Sequence, residues 1–284
     1  MTRLNEVPFV KGHGTGNDFV IIPDVDGHLD LTPEQVRWLC DRRRGIGGDG
    51  VLRVVRTDLM EEFADFAGVA EFFMDYRNAD GSVAEMCGNG ARVFVRYLDA
   101  TGLVTDHDVV IATRGGLRST TINIDRTITI DMGIAASPRA AALPRVTAGA
   151  HSWEATGVLI PNPHAVVFVD DLAEAGELLA APAVAPDDVF PDGVNVEFVA
   201  LRGDRHVAMR VHERGVGETL SCGTGACAVA WAARRHGGER VEGESTWQVD
   251  VPGGTVHVTE TATGSLLLTG PADLVARGTV LLPF

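Results

Sequence analysis

Two long stretches of the chain, residues 109–132 and 241–282, alternate apolar with polar positions and are rich in Thr, Val and Ile. A period of two puts successive side chains on opposite faces of a sheet, and β-branched side chains suit a pleated surface, so both stretches are predicted as runs of strands. Residues 7–22 read as a glycine-punctuated loop between apolar strand residues, with the polar cluster His13-Gly14-Thr15-Gly16-Asn17-Asp18 at its centre. Three stretches break the β pattern. Leu31 to Arg43 opens with Thr32-Pro33-Glu34, an N-cap followed by proline at the first helical position, and stops before Gly45, which predicts a helix. Arg92 to Ala100 and Ala226 to Arg235 are runs of helix-forming residues. The pattern as a whole is mainly β with a few helices.

One motif occurs twice, as Glu85-Met86-Cys87-Gly88-Asn89-Gly90-Ala91-Arg92-Val93 and as Leu220-Ser221-Cys222-Gly223-Thr224-Gly225-Ala226-Cys227-Ala228. Each copy is a Cys-Gly-(Asn/Thr)-Gly-Ala turn leading into one of the two helical runs, so each cysteine is expected at a helix N-terminus. The separation is much too long for a solenoid repeat and instead suggests two domains of similar construction. A weaker echo pairs Asn17 with Asn162 of Pro161-Asn162-Pro163-His164, each set before an apolar strand. Either asparagine alone reads equally well as a turn residue. Their matched positions favour ligand contact.

The 284 residues exceed the usual single-domain size of roughly 100–200, which agrees with two domains. A formal charge of −15 would repel phosphate backbones and anionic lipid, which argues against a nucleic-acid partner. Glycine supplies 33 residues, well above the usual share of about 7%, as expected where backbone must approach a ligand. Residues 1–14 contain no apolar stretch of signal-peptide length, and the longest apolar run, Ala226 to Ala233, is less than half the roughly 20 residues of a membrane helix. The expectation is a cytoplasmic protein that does not enter a membrane. Four scattered cysteines, Cys40, Cys87, Cys222 and Cys227, are too few for a disulfide framework and lack zinc-site spacing. A lone cysteine is most often a small buried apolar residue, and Cys40 and Cys227, inside predicted helices, are read that way.

Cys87 and Cys222 are different because of where they sit. A free thiol ionises at about pH 8.5, and unpaired N–H groups at a helix N-terminus favour the thiolate. Gly88 and Gly223 leave room for an anionic ligand to approach those N–H groups, so two such helix ends could cradle one carboxylate between two thiols. Two groups on opposite faces of one carbon are the minimal apparatus for inverting it: a thiolate removes the α-proton and a thiol returns a proton to the far face. The α-hydrogen beside an ionised carboxylate is weakly acidic, so preorganised donors in a dry site must meet the developing charge. A pyridoxal phosphate enzyme would use a lysine-bound electron sink, but the only lysine, Lys11, has no phosphate cradle beside it. The nine histidines show no metal-binding spacing. No cofactor and no metal are expected.

At this level of detail the chain resembles the diaminopimelate epimerases, which interconvert the LL and meso forms of 2,6-diaminopimelate for lysine and cell-wall synthesis. The resemblance rests on ordered motifs spanning most of the sequence: Gly16-Asn17-Asp18-Phe19, Gly45-Ile46-Gly47-Gly48-Asp49-Gly50, Asn78-Ala79-Asp80-Gly81-Ser82, Cys87-Gly88-Asn89-Gly90-Ala91-Arg92, Asn162-Pro163-His164, Val194-Asn195, Glu213-Arg214-Gly215 and Ser221-Cys222-Gly223-Thr224-Gly225. It implies that Cys87 and Cys222 are the acid–base pair and that Gly88-Asn89 and Gly223-Thr224 hold the reacting carboxylate. It further implies that Asn17, Asn78, Asn162, Asn195, Glu213 and Arg214 bind a small diamino diacid, and that His164 and Glu213 modulate the thiols, one near each. Arginine's planar fork suits a carboxylate and Glu213 an ammonium group. Two departures are visible: some family members carry glutamine at the position of Gly50, and the stretch Thr57 to Asp75 looks like an exposed acidic insertion.

The family implies an α+β fold of two similar domains, each a barrel-like β layer around a central helix, with the active site in the cleft between them. The first domain is expected to cover residues 1–133 plus 272–284 and the second 134–271. A homodimer follows from the resemblance alone. Two alternatives stay open: another cysteine-pair racemase of the proline or hydroxyproline type, and a redox-sensing protein using Cys87 and Cys222 as a reversible pair.

Overall fold

The computed structural model describes residues 5–139, 143–236 and 242–283, so Val241, where the second β stretch was expected to begin, lies outside the described residues. The chain divides into two compact units, residues 1–130 with 271–284 and residues 131–270.

In the first unit the sheet runs, strand by strand, Asp273–Leu282, Asn5–Gly14, Asn17–Pro23, Gly50–Arg56, Phe72–Asn78, Asp108–Thr113, Gly116–Ile122 and Ile128–Ile134. Two neighbouring pairs are parallel, Asn17–Pro23 with Gly50–Arg56 and Phe72–Asn78 with Asp108–Thr113. A parallel pair needs a crossover, and each of these two contains a helix: α1, Pro33–Cys40, and α2, Gly88–Thr101. Helix α2 touches strands from Asp273–Leu282 at one end of the order to Gly116–Ile122 near the other. Eight strands about 4.8 Å apart would span roughly 30 Å if flat, so one helix can reach them only because the sheet curls around it. This is the expected barrel-like layer around a central helix. Every α2 residue from Gly88 to Leu98 is buried, including Arg92 and Arg96, which donate to the carbonyls of Pro271 and Ala272.

The second unit repeats this order: Thr156–Ile160, Asn162–Phe168, Asn195–Gly203, His206–Glu213, Ser245–Val251, Gly254–Glu260 and Ser265–Gly270. The same two steps are parallel, Asn162–Phe168 with Asn195–Gly203 and His206–Glu213 with Ser245–Val251. The second crossover again holds the central helix, α3, Gly223–Arg235. Its alanine-rich sequence lets the sheet pack closely, and only small side chains and Cys227 line its buried faces. A small three-stranded sheet, Ala183–Ala185, Arg145–Ala148 and His151–Glu154, belongs to the same unit.

Three local expectations change. The predicted loop over residues 7–22 is a hairpin whose turn is only Thr15-Gly16, both at positive φ, 50° and 81°, with His13 opposite Asp18 and Gly14 opposite Asn17. The polar cluster therefore sits on strand ends, where its side chains have fixed directions. Helix α1 has the expected Thr32 cap, with Thr32 and Gln35 in a reciprocal capping box, but ends at Cys40 rather than Arg43. The Asp41 carboxylate accepts from the N–H groups of Arg43 and Arg44 at 2.8 and 2.9 Å, offering the backbone a turn in place of another helical step. Residues 57–66 form short 3-10 segments whose acidic side chains face solvent while Met60, Phe63 and Phe66 cover a small core of Val55, Ala70, Phe73 and Ala112. That segment is more than a solvated insertion. Among the described residues no helix is long and apolar enough to cross a membrane.

Candidate active site

Cys87 and Cys222 are the N-cap residues of α2 and α3, with nearly the same backbone, φ −139°, ψ 121° and φ −120°, ψ 114°. Each sulfur accepts a hydrogen bond from the backbone N–H three residues on, Gly90 at 3.4 Å and Gly225 at 3.3 Å. The helices begin at Gly88 and Gly223, a turn earlier than the helix-forming runs at Arg92 and Ala226, because the thiol satisfies one of the unpaired first-turn donors. Glycine at these first positions keeps the remaining N–H groups reachable. Asn89 and Thr224 follow on the same first turns.

Around Cys87, the Asn17 Oδ1 is 3.8 Å from the sulfur and accepts from Asn89 Nδ2 at 3.1 Å. Asn17 cannot rotate freely, because its Nδ2 donates to Asp49 Oδ2 at 2.7 Å. Asp49 is held in turn by Arg42, which also grips Asp18 through both guanidinium nitrogens at 2.9 and 2.7 Å. Against the desolvation that burial imposes, hydrogen bonds from Arg42 and Lys11 hold Asp18 well below the usual carboxylate range. Asn78 accepts from the Tyr76 hydroxyl at 2.8 Å and donates to Ser82 at 3.0 Å.

Around Cys222, Thr224 Oγ1 lies 3.4 Å from the sulfur, and Glu213 places a carboxyl beside the thiol. Glu213 also accepts from the Thr219 hydroxyl. Asn195 donates to the Pro163 carbonyl at 3.2 Å and accepts from the Arg214 N–H at 2.9 Å. The Arg214 side chain is exposed and donates to the Asp192 carbonyl at 2.8 Å, along a cavity bordered by Phe190, Pro191, His212 and Gly215 that does not include Cys222. His164 is fully buried, with Nδ1 2.6 Å from Glu197 Oε1 and Nε2 3.1 Å from Asn162 Oδ1.

Burial pushes the Cys222 thiol well above its ordinary range, and the negative charges of Glu213 and Glu197 push the same way. The helix end and the Gly225 N–H oppose this, but a helix terminus contributes about 0.3–2 kcal/mol, whereas burying a charge costs several. The expectation that each helix end would favour a thiolate therefore fails at Cys222. Burial also pushes Glu213 up and takes Cys40 to about 12, which suits the packing role expected of Cys40.

Strand register shows how the two sets correspond. Asn17 and Asn162 open equivalent strands, and Gly50 and Asn195 open the parallel strands beside them, with Phe19 opposite Gly50 and His164 opposite Asn195. Asn78 and Glu213 close the next strands. The weaker asparagine echo is thus a true structural equivalence. The Gly50 departure also has a reason: a Cβ there would meet the Arg77 carbonyl at 2.6 Å and the Tyr76 ring at 2.7 Å. Gly50→Gln is therefore expected to destabilise the fold by about 1–3 kcal/mol, as overpacking does, measurable as a lowered urea midpoint at unchanged slope.

Sequence reasoning missed Asp49, Tyr76 and Glu197. Asp49 was signalled only as part of the Gly45 to Gly50 motif, and Glu197 as a carboxylate inside the apolar strand sequence Asn195-Val196-Glu197-Phe198-Val199.

The family model described as diaminopimelate epimerase matches residues 9–137 and 157–275. The chain is similar to the diaminopimelate epimerase of Streptomyces coelicolor, 55% identical over 275 residues and covering 96% of this chain and 94% of that protein. Similar proteins from Corynebacterium glutamicum and Mycolicibacterium smegmatis, with the same description, are 47% and 44% identical and cover 96% and 95% of this chain and 98% and 95% of their own lengths. Among solved structures, a hydroxyproline epimerase from Agrobacterium vitis shares the fold at TM-score 0.67 and 17% identity, covering 99% of this chain and 94% of that one. A phenazine biosynthesis protein of the PhzF family from Bacillus anthracis does so at TM-score 0.64 and 18% identity, covering 98% of this chain and all of that one.

Proposed function

The chain belongs to the diaminopimelate epimerase family, and from that premise we propose that it interconverts LL- and meso-2,6-diaminopimelate by proton transfer through Cys87 and Cys222. The observation that carries this reading is the matched pair of N-cap thiols on topologically equivalent helices, each beside a Gly-led first turn.

In this reading the reacting carboxylate lies against the N–H groups of Gly88, Asn89, Gly223 and Thr224, which meet negative charge as it develops. One sulfur, as thiolate, removes the α-proton, and the other, as thiol, delivers a proton to the opposite face of the same carbon. Asn17, Asn78, Asn162 and Asn195 orient the polar ends of the substrate. Arg214 offers a fork to the distal carboxylate and Glu213 an anion to an ammonium group. His164 and Glu213 adjust the thiols. No cofactor is needed, and Lys11 is already held by Asp18 at 2.6 Å and by the Gly47 carbonyl, which speaks against a lysine-bound electron sink. The family further supports a role in lysine and cell-wall precursor synthesis, by a homodimer in the cytoplasm.

Metal-free, cofactor-free protein incubated with LL-diaminopimelate in heavy water is expected to form meso product carrying solvent deuterium at the inverted carbon. Absence of both inversion and exchange would overturn the proposal.

A further inference from the structure

The seat of Cys222 contains two groups whose counterparts beneath Cys87 are apolar. By strand register His164 occupies the place of Phe19, and Glu197, two residues beyond Asn195, occupies the place of Leu52, two residues beyond Gly50. All four side chains are fully buried. A Cβ built on Gly90 would touch Leu52 at 3.3 Å and Phe19 at 3.5 Å, whereas one built on Gly225 would meet Glu197 Oε1 at 2.9 Å and Cys222 Sγ at 3.2 Å. The same spot under the helix N-terminus is thus hydrocarbon in one unit and a carboxylate in the other.

We propose that Glu197 is a positioning residue that fixes the His164 ring through Nδ1 and, with Glu213, makes Cys222 the thiol that keeps its proton at rest. The assignment rests on the two-thiol reading of the function and deepens it.

The groups that face Cys222 are Glu213 at the end of His206–Glu213, Glu197 in Asn195–Gly203, and the Thr224 hydroxyl and Gly225 N–H of α3, with His164 of Asn162–Phe168 held on Glu197 at 2.6 Å. Two of these are carboxylates, and like charge disfavours a thiolate beside them in a site that water cannot screen. Around Cys87 the equivalent positions are Asn78 and Leu52, both uncharged. Glu197 Oε1 accepts from His164 Nδ1, and among the described residues its Oε2 has no hydrogen-bond partner. A buried carboxylate left half satisfied is costly, and such costs concentrate where a charge is used. Holding Nδ1 also fixes the ring plane, with Nε2 3.1 Å from Asn162 Oδ1.

The test is the titration of the four cysteines in protein labelled with 13C at cysteine Cβ, followed by NMR across pH without substrate and assigned with single Cys→Ser variants. In wild type, Cys87 is expected to ionise at lower pH than Cys222. Glu197→Gln, which keeps the size and removes the charge, is expected to lower the Cys222 midpoint by about one unit, a tenfold gain in thiolate below it, and to leave Cys87 in place. Glu197→Leu, which copies the residue the first unit folds with, is expected to shift it the same way. In both variants the pH profile of kcat should move while KM stays within about twofold. Cys222 responding to pH no differently in the variants, or Cys87 ionising above Cys222 in wild type, overturns the proposal. Because no substrate is present, these outcomes are independent of whether diaminopimelate is the substrate, which the deuterium experiment decides separately.

Discussion

Replacing either Cys87 or Cys222 by alanine is expected to lower kcat/KM for diaminopimelate epimerisation by about a thousandfold or more, since each variant loses one acid–base partner. The loss should fall on inversion before exchange. With one thiol left, a proton can be taken and returned only on that thiol's own face, so one variant should exchange deuterium into the LL isomer and the other into the meso isomer, each with retained configuration, while inversion disappears. Both cysteines cap helices that are otherwise well packed, and a cap contributes about 1 kcal/mol, so the variants should remain folded by circular dichroism and melt only slightly lower. Equal inversion by wild type and either alanine variant would remove the thiols from the mechanism. By contrast Cys40→Ala and Cys227→Ala are expected to keep kcat, because both side chains are buried in their units' cores away from the caps.

Glu213→Gln is expected to reduce kcat by about a hundredfold, the lower end of what a positioned proton-transfer group contributes. Glu213 stands beside Cys222, and burial pushes its carboxyl above the ordinary value of 4.5. The useful form is the carboxylate, whose charge keeps the proton on Cys222 until the substrate carbon takes it. Activity should therefore be present above the raised Glu213 pKa and be lost as pH falls through it, giving an acidic limb at higher pH than an exposed glutamate would give. In Glu213→Gln that limb should vanish along with most of the rate. A kcat profile of the variant that keeps both the wild-type rate and the wild-type limb would sink this role for Glu213. A rise in KM alongside would report the lost contact with a substrate ammonium group.

Much of the site was legible in the chain because it is written in local patterns. The repeated Cys-Gly-(Asn/Thr)-Gly-Ala turn marks two helix starts, since a cysteine followed by small residues and helix formers has few other backbone options. Thr32-Pro33 marked α1 for the same reason. Where local rules competed, prediction slipped: Asp41 ends α1 early, and Thr15-Gly16 turns an expected loop into a tight hairpin. Asn17 and Asn162 could be matched by eye, but the equivalence of Gly50 with Asn195 and of Asn78 with Glu213 needed the strand register.

The sequence by itself determined the two-unit α+β plan, the capping thiols and the family, because period, cap chemistry and motif spacing act over a few residues. Only the tertiary structure decided what each thiol experiences. Asn17 is aimed by Asp49, 32 residues away, and His164 by Glu197, 33 residues away, through pairings that no local rule specifies. The two cysteines have nearly identical sequence neighbourhoods and backbone angles, yet Phe19 and Leu52 underlie one and His164 and Glu197 the other. Protonation depends on charges and solvent within a few ångströms in space, and those neighbours are set by how separate strands pack together.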